Sequence, residues 1–359
     1  MKRVEALKQL AFTKEKFDAF LVLNETNQLY FAGVPGTSCL LIPKKGENTL
    51  FVFALNYENA KAEAKNFNVE KVERGQNIIA KVAAYFKTMK PKKIAFDTAP
   101  YEVYRMLAKE FRRKAKLSMQ NGLVQQLRRV KDASELELMR KAGEITVVGM
   151  KAACEAIKPG TTEIHVAGEL EYAMRKKTGW GLAFESIVAS GIRSAYPHGG
   201  CTEKKISKGD LVVVDIGAVY HDYRSDMTRT FIAGKPTEKQ TKLFSAVKNA
   251  QKKACDAIKE GELGKDIDLV ARKTIEKAGY GEYFNHGLGH GVGLEVHEGP
   301  TLAPSSKDRL VKGNVVTVEP GVYLSGFGGV RIEDTVLVGK EKCEKFTDGF
   351  YFPGDHELV

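Results

Sequence analysis

VVVDIGAVYHDYRSDMTRTF, residues 212–231, is the stretch on which the reading of this chain turns. Two β-branched runs flank a short polar turn, the pattern of an antiparallel hairpin. Asp215 lies in the first run and Asp226 in the second. A turn centred between Tyr220 and His221 sets them directly opposite each other on one face. Opposed residues have β-carbons about 5 Å apart, where like charges repel. The plain alternative is an exposed acidic pair on a solvated sheet face. Val212, Val213, Val214 and Ile216 argue against it, because they predict a strand buried on both faces. Two buried carboxylates need a cation or a shared proton.

A second hairpin raises the same question. VVTVEPGVYLSGFGGVRIEDTVLV, residues 315–338, turns through a glycine-rich loop near Gly326. Glu319 and Glu333 are equally far from that centre and are expected to face each other, while Asp334 alternates to the other side. Four carboxylates gathered from two hairpins predict a two-cation site. A further segment, FNHGLGHGVGLEVHEGP (284–300), sets His286, His290 and His297 among glycines in a chain with seven histidines. His286 and His290 have the spacing of a helical zinc motif. Gly287, Gly289, Gly291 and Gly293 disfavour a helix, and no Glu follows His286 directly. One ligand is expected from this loop and a polar role for a second histidine.

The set Asp215, Asp226, His290, Glu319 and Glu333 resembles the five metal ligands of the pita-bread metallopeptidases. Their motifs stand here as DIGAVYHDYRSDMTRT, HGLGHGVGLEVHE, VEPGVY and GVRIEDT. The resemblance implies that Asp226 and Glu333 bridge two divalent ions, that Asp215 chelates one, and that His290 and Glu319 complete the other. It makes Glu319 the proton shuttle as well. His198, in AYPHGG, and His297, in EVHE, match positions that bind substrate and stabilise the tetrahedral intermediate. Arg331 is expected to orient the carboxylates from behind, His286 to be structural, and His221 to face solvent at the hairpin tip. A donor set of four carboxylates and one imidazole suits Mn²⁺ or Co²⁺, and can hold Zn²⁺.

Length and composition agree with that reading. A chain of 359 residues is expected to hold two domains, here 1–124 and 125–359. DAFLVLNETNQLYFAG resembles the amino-terminal domain of creatinase and its relatives. The fold class expected is therefore a creatinase-like α/β domain followed by an α+β pita-bread catalytic domain. The amino-terminus is charged and lacks the apolar core of a signal peptide, and no run of about 18 apolar residues spans a membrane. Five scattered cysteines, never in CxxC spacing, argue for a reducing cytoplasm. The net charge of +11 is local, roughly +10 in residues 1–124 and roughly +1 beyond. Arg112, Arg113, Lys114 and Lys116 could meet nucleic acid, but a solvated basic surface without stacking aromatics is the expectation.

Along the chain, 17–23, 27–33, 39–43 and 49–54 read as strands, 78–89 and 101–113 as helices, and 93–97 as a strand. Asp132 or Ser134 is expected to cap one long amphipathic helix within 123–160, and Thr161 or Thr162 to cap the next. The amino-terminal domain argues against a plain methionine aminopeptidase, and the complete ligand set against metal-free creatinase. It also argues against the non-catalytic pita-bread modules, which generally lack ligands. Xaa-Pro peptidases remain. The expected activity is that of a prolidase cutting dipeptides with proline in second place, with aminopeptidase P, which acts on longer peptides, as the alternative. Thr301 stands where some prolidases carry an arginine for the substrate carboxylate, so Arg309 is the substitute to examine. A homodimer is the expected assembly.

Overall fold

The computed structural model describes residues 2–178 and 180–348. The chain divides into two compact units, Met1–Arg128 and Arg129–Val359. The boundary expected after residue 124 falls inside a helix, α6 (Asn121–Arg128), and the division lies at the end of that helix.

In the first unit six strands form one sheet: β1 (Ala19–Val22), β2 (Cys39–Pro43), β3 (Thr49–Phe53), β4 (Asn68–Val72), β5 (Lys93–Phe96) and β6 (Lys116–Met119). Their order is β4-β3-β2-β1-β5-β6. The β1–β2–β3 pairs are antiparallel, while β3–β4, β1–β5 and β5–β6 run parallel. Helices α1 (Lys2–Lys8), α2 (Glu25–Ala32), α3 (Tyr57–Glu63), α4 (Ile78–Met89) and α5 (Tyr101–Phe111) alternate with the strands. Residues 27–33, expected as a strand, belong to α2. Asn24 caps its first turn by accepting from Asn27 N, and Gly33 ends it in the left-handed region at φ 72°. The cap and the C-terminal glycine outweigh the strand-like composition of NQLYFAG.

The second unit begins with α7 (Ala133–Ala156), whose start is a capping box: Asp132 accepts from Ser134 N and Glu135 N, and Glu135 reaches back to Asp132 N. The helix expected to start at Asp132 or Ser134 and to end near Pro159 is α7, and α6 lies ahead of it. Thr162 caps α8 (Glu163–Thr178) through His165 N, and α9 (Glu238–Ala257) and α10 (Gly264–Lys277) follow. A three-stranded antiparallel sheet has β8 (Leu211–Ile216) between β7 (Ile187–Ser190) and β11 (Met227–Ile232). The short ribbon of β9 (Val219–Tyr220) and β10 (Tyr223–Arg224) extends its hairpin. A five-stranded sheet takes β12 (Gly289–Gly291), β13 (Glu298–Leu302), β14 (Val315–Val318), β17 (Asp334–Val338) and β18 (Cys343–Lys345). The ribbon of β15 (Gly321–Leu324) and β16 (Gly328–Arg331) continues the β14–β17 hairpin.

Two apolar clusters hold this unit together. Val212, Val214, Ile216, Met227 and Phe231 pack with residues of α7 and α8, and Val316, Val318, Val336 and Val338 with residues of α9 and α10. Each fully buried aliphatic side chain contributes about 1.5–3 kcal/mol. Among the described residues no helix is long and apolar enough to cross a membrane.

One buried charge pair lies inside this apolar frame. Arg229 donates to Asp334 Oδ1 at 2.8 Å, and Asp334 also receives Lys345 at 2.8 Å and Gln251 at 2.7 Å. Against the opposing effect of burial, Arg229 and Lys345 together hold the Asp334 carboxyl below its usual range. Removing one partner of a buried pair leaves the other uncompensated, at a cost of about 3–5 kcal/mol. Asp334 keeps Lys345 and Gln251 in Arg229→Met, so that variant is expected to lose less, about 1.5–3 kcal/mol in denaturant unfolding. A loss below about 1 kcal/mol would show that the pair is solvated rather than buried.

Candidate metal centre

The first hairpin differs from expectation in register and agrees in face. Thr228 pairs with Asp215, Met227 with Ile216, and Tyr223 with Tyr220, so the turn is centred between His221 and Asp222. Those two residues take φ of 45° and 69°, as a two-residue hairpin turn with both central residues left-handed requires. Asp adopts that region more readily than Tyr, which moves the turn one residue along from the expected centre. Asp215 therefore faces Thr228 rather than Asp226. Because side chains alternate with period two, a two-residue offset keeps Asp226 on the same face as a diagonal neighbour.

The second hairpin keeps the expected centre. Val318 pairs with Asp334 and Gly321 with Arg331, which places the symmetry point on Gly326, at φ 73°. Glu319 and Glu333 sit in the gap between the two ladders, and their backbones are spent on neighbouring elements. Glu319 N donates to Leu288 O at 2.8 Å, and Glu333 N to Thr228 O at 3.0 Å. His290 N donates to Thr317 Oγ1 at 3.0 Å. These three bonds draw the histidine loop and both hairpins onto one point.

There the side chains converge. One ligand atom each from Asp226, His290 and Glu333 lies within 4.8 Å of the others. His290 Nε2 is 3.3 Å from Glu319 Oε1 and 3.9 Å from Asp226 Oδ2. Arg331 Nη2 donates to Asp215 Oδ2 at 2.7 Å, its Nη1 to the Tyr323 hydroxyl at 2.9 Å, and its Nε to Thr228 Oγ1 at 3.2 Å. Thr228 Oγ1 in turn donates to Glu333 Oε2 at 2.6 Å. All five acidic and imidazole groups line a cavity of about 1250 Å³, together with His198, His286, His297, Tyr323 and Arg331. The ring of His297 is 4.2 Å from that of His290.

The electrostatics are those of a site that fits cations. Burial, and next the Glu333 charge, push the Asp226 carboxyl well up. Burial, then Glu319 and Asp215, do the same to Glu333. Burial would raise Glu319 too, but its contact with His290 holds it low, and the same contact raises His290. Asp215 Oδ1 is buried and finds no hydrogen-bond partner among the described residues. A cluster of acceptors with one orphaned oxygen and two carboxyls driven toward protonation is the donor set of a hard divalent cation.

Arg309 does not join the site. It is exposed, and its guanidinium donates to the Gly261 carbonyl, beside the bridge between Leu263 and Arg309 that precedes α10. Thr301 is also exposed and bonded to Asp308. Neither lines the cavity. Tyr323, in contrast, stands inside it, pushed up to about 12 by burial, and links Arg331 to His286 Nε2 at 3.1 Å. The alternation that placed Glu319 also places Tyr323 on the same face, so the signal was in the sequence. His286 contributes to this chain rather than only to packing. Asp334 lies on the opposite face, in the Arg229 pair.

Residues 137–340 match metallopeptidase family M24, and residues 3–130 the creatinase/prolidase amino-terminal domain. An Xaa-Pro dipeptidase of Pyrococcus horikoshii is 40% identical over 337 residues, 93% of each chain. The structure of an Xaa-Pro dipeptidase from Bacillus anthracis superposes with a TM-score of 0.93 at 38% identity, covering 98% of both chains. An X-Pro aminopeptidase from Thermotoga maritima gives 0.86 at 37% identity, covering 94% of this chain and 97% of that one.

The raised carboxyls make a linkage prediction. Asp226 and Glu333 are both shifted upward, so without cations the stability they contribute is present below about pH 4. It is lost as pH rises through their elevated values. Asp226→Asn removes that strain, so chelated variant is expected to melt above chelated wild type at pH 7.5, with the gap closing at pH 4. Added Mn²⁺ should raise the melting temperature of wild type more than that of the variant. A variant that melts lower than wild type in chelator at pH 7.5 would contradict this account.

Proposed function

The chain belongs to metallopeptidase family M24, and we propose that it is a metal-dependent Xaa-Pro dipeptidase, a prolidase of pita-bread architecture. Convergence of four carboxylates and one imidazole on a single cavity carries this reading, in a chain similar over nearly its whole length to Xaa-Pro dipeptidases. The family implies divalent metal ions. Asp215, Asp226, His290, Glu319 and Glu333 would hold two of them, and the oxygen-rich set with one nitrogen supports Mn²⁺ or Co²⁺, with Zn²⁺ accommodated. Cations held there supply a water of lowered pKa and polarise the scissile carbonyl.

The chain's own residues do the rest. Glu319 accepts the proton of the attacking water and hands it to the prolyl nitrogen as the peptide bond breaks. Its hydrogen bond from Thr317 Oγ1, at 3.1 Å, fixes the carboxylate for both transfers. His297, its ring tilted beside that of His290, and His198, which lines the same cavity, are N–H donors for the carbonyl oxygen as negative charge develops on it. Arg331 restrains Asp215 in the manner of an outer partner that orients a ligand. With Arg309 outside the cavity, His198 and His297 are the remaining groups for the free carboxylate of a dipeptide. Five free cysteines support a reducing cytoplasm. The partners are small peptides with proline in second place rather than nucleic acid, and the assembly is a homodimer.

Glu319→Gln is expected to keep the fold by circular dichroism and to lower kcat by about 10²–10⁴. Specificity is decided by kcat/KM for Ala-Pro, Ala-Pro-Gly and a longer Xaa-Pro peptide under one metal condition. The dipeptide is expected to be the best substrate. Longer peptides cut equally well or better would assign the chain to the aminopeptidase P branch.

A further inference from the structure

Glu163 is the first residue of α8 and has no exposed surface, yet it touches none of the groups assigned above. Its two oxygens collect six hydrogen bonds. Oε1 accepts from Ser190 N at 2.8 Å, Ser190 Oγ at 2.8 Å and Arg193 Nε at 3.3 Å. Oε2 accepts from Thr202 Oγ1 at 2.6 Å, Thr202 N at 3.1 Å and Arg193 Nε at 3.2 Å. Arg193 then reaches on to the Gly199 carbonyl, with Nη2 to oxygen at 2.6 Å. One buried carboxylate thus fixes the end of β7, the turn after it and Thr202.

The segment enclosed by those anchors is the one that carries His198. Between Arg193 and Thr202, the residues Pro197, His198, Gly200 and Cys201 line the cavity. The segment's own backbone supplies little: Tyr196 N bonds to Arg193 O, and Gly199 N to Tyr196 O. His198 is exposed and sits in no regular element. Gly200 takes φ of 61°, a conformation that only an outside restraint or a glycine holds cheaply. Ser194 Oγ ties the same turn to Gly329 N at 2.9 Å, on the β16 strand that ends in Arg331. A flexible segment bearing a group that must meet a developing charge loses rate steeply with small displacements.

We propose that Glu163 and Arg193 are positioning residues for catalysis, clamping residues 194–202 so that His198 is held on the cavity wall; this rests on the peptidase reading above. The carboxylate acts on the ends of the segment and the guanidinium on its middle, at Gly199, next to the histidine. Neither Glu163 nor Arg193 is among the described residues that line the cavity. Their effect on rate runs through His198, the residue of the segment that the reaction uses.

The test is a double-mutant cycle on holoenzyme, with Arg193→Met, Arg193→Lys and Glu163→Gln, each with and without His198→Ala. Arg193→Met is expected to lower kcat for Ala-Pro about 10-fold or more at unchanged bound metal, with Arg193→Lys recovering part of the loss. In the His198→Ala background the same change should cost nothing further. Multiplicative losses, or a loss that follows lost metal, would overturn the proposal. Amide hydrogen exchange decides it independently of turnover: Arg193→Met should speed exchange across 196–202 and leave α7 and β8 as in wild type. Unchanged exchange in 196–202 overturns the clamp even if activity falls. If wild type hydrolyses no Xaa-Pro dipeptide, the peptidase reading fails instead, and the exchange result alone judges the clamp. Glu163→Gln keeps shape while weakening acceptance from Arg193, and is the second probe should Arg193→Met fold poorly.

Discussion

Repulsion among buried carboxylates is the constraint to which the second unit is built. Like charges about 4 Å apart repel by roughly 4 kcal/mol in a partly screened protein environment. Asp226 and Glu333 offer oxygens within 4.8 Å of each other and of the His290 ring, Glu319 lies 3.3 Å from that ring, and Asp215 lines the same cavity. Nothing in apolar packing favours such a gathering. The cost is imposed by the backbone: two hairpins and a glycine-rich loop are locked to one another through Glu319 N, Glu333 N and His290 N. The frame is therefore stabilised elsewhere, by its valine-rich strands and helices, and cations complete the balance.

Neighbouring acids show how finely alternation sorts charge. Glu333 and Asp334 are adjacent in sequence, yet Glu333 faces the cavity while Asp334 turns to Arg229, Lys345 and Gln251. The first is pushed up by burial and its acidic neighbours, and the second is held down by cations. Arg331 brings a guanidinium to the ligand group at Asp215 while also holding Tyr323 and Thr228. Thr228 occupies the position opposite Asp215 and bonds to Glu333, so the cross-strand neighbour of one acid supports another.

Much of this was legible in the sequence because strands impose a strict period of two. Parity alone put Glu319 and Glu333 on one side and Asp334 on the other, and the glycine at 326 set the centre of that hairpin. The same parity absorbed the error in the first hairpin, where the turn prefers His221 and Asp222 at positive φ. What stayed hidden depended on contacts distant in sequence. Arg309 looked available by proximity to the HEGP motif, but its side chain is taken by Gly261 across 48 positions. Parity also put Tyr323 on the cavity face, while its bonds to Arg331 and His286 are partnerships that no local pattern announces. In the first unit, NQLYFAG has the composition of a strand and forms a helix because Asn24 and Gly33 close its ends.

Metal stoichiometry tests the central claim most directly. Elemental analysis and calorimetric titration of chelated protein should find two divalent cations per chain. Ala-Pro hydrolysis should vanish on chelation and return with Mn²⁺ or Co²⁺. Full hydrolysis by protein shown to hold no metal would contradict the account, because the carboxylate cluster would then be working without the cations its geometry requires.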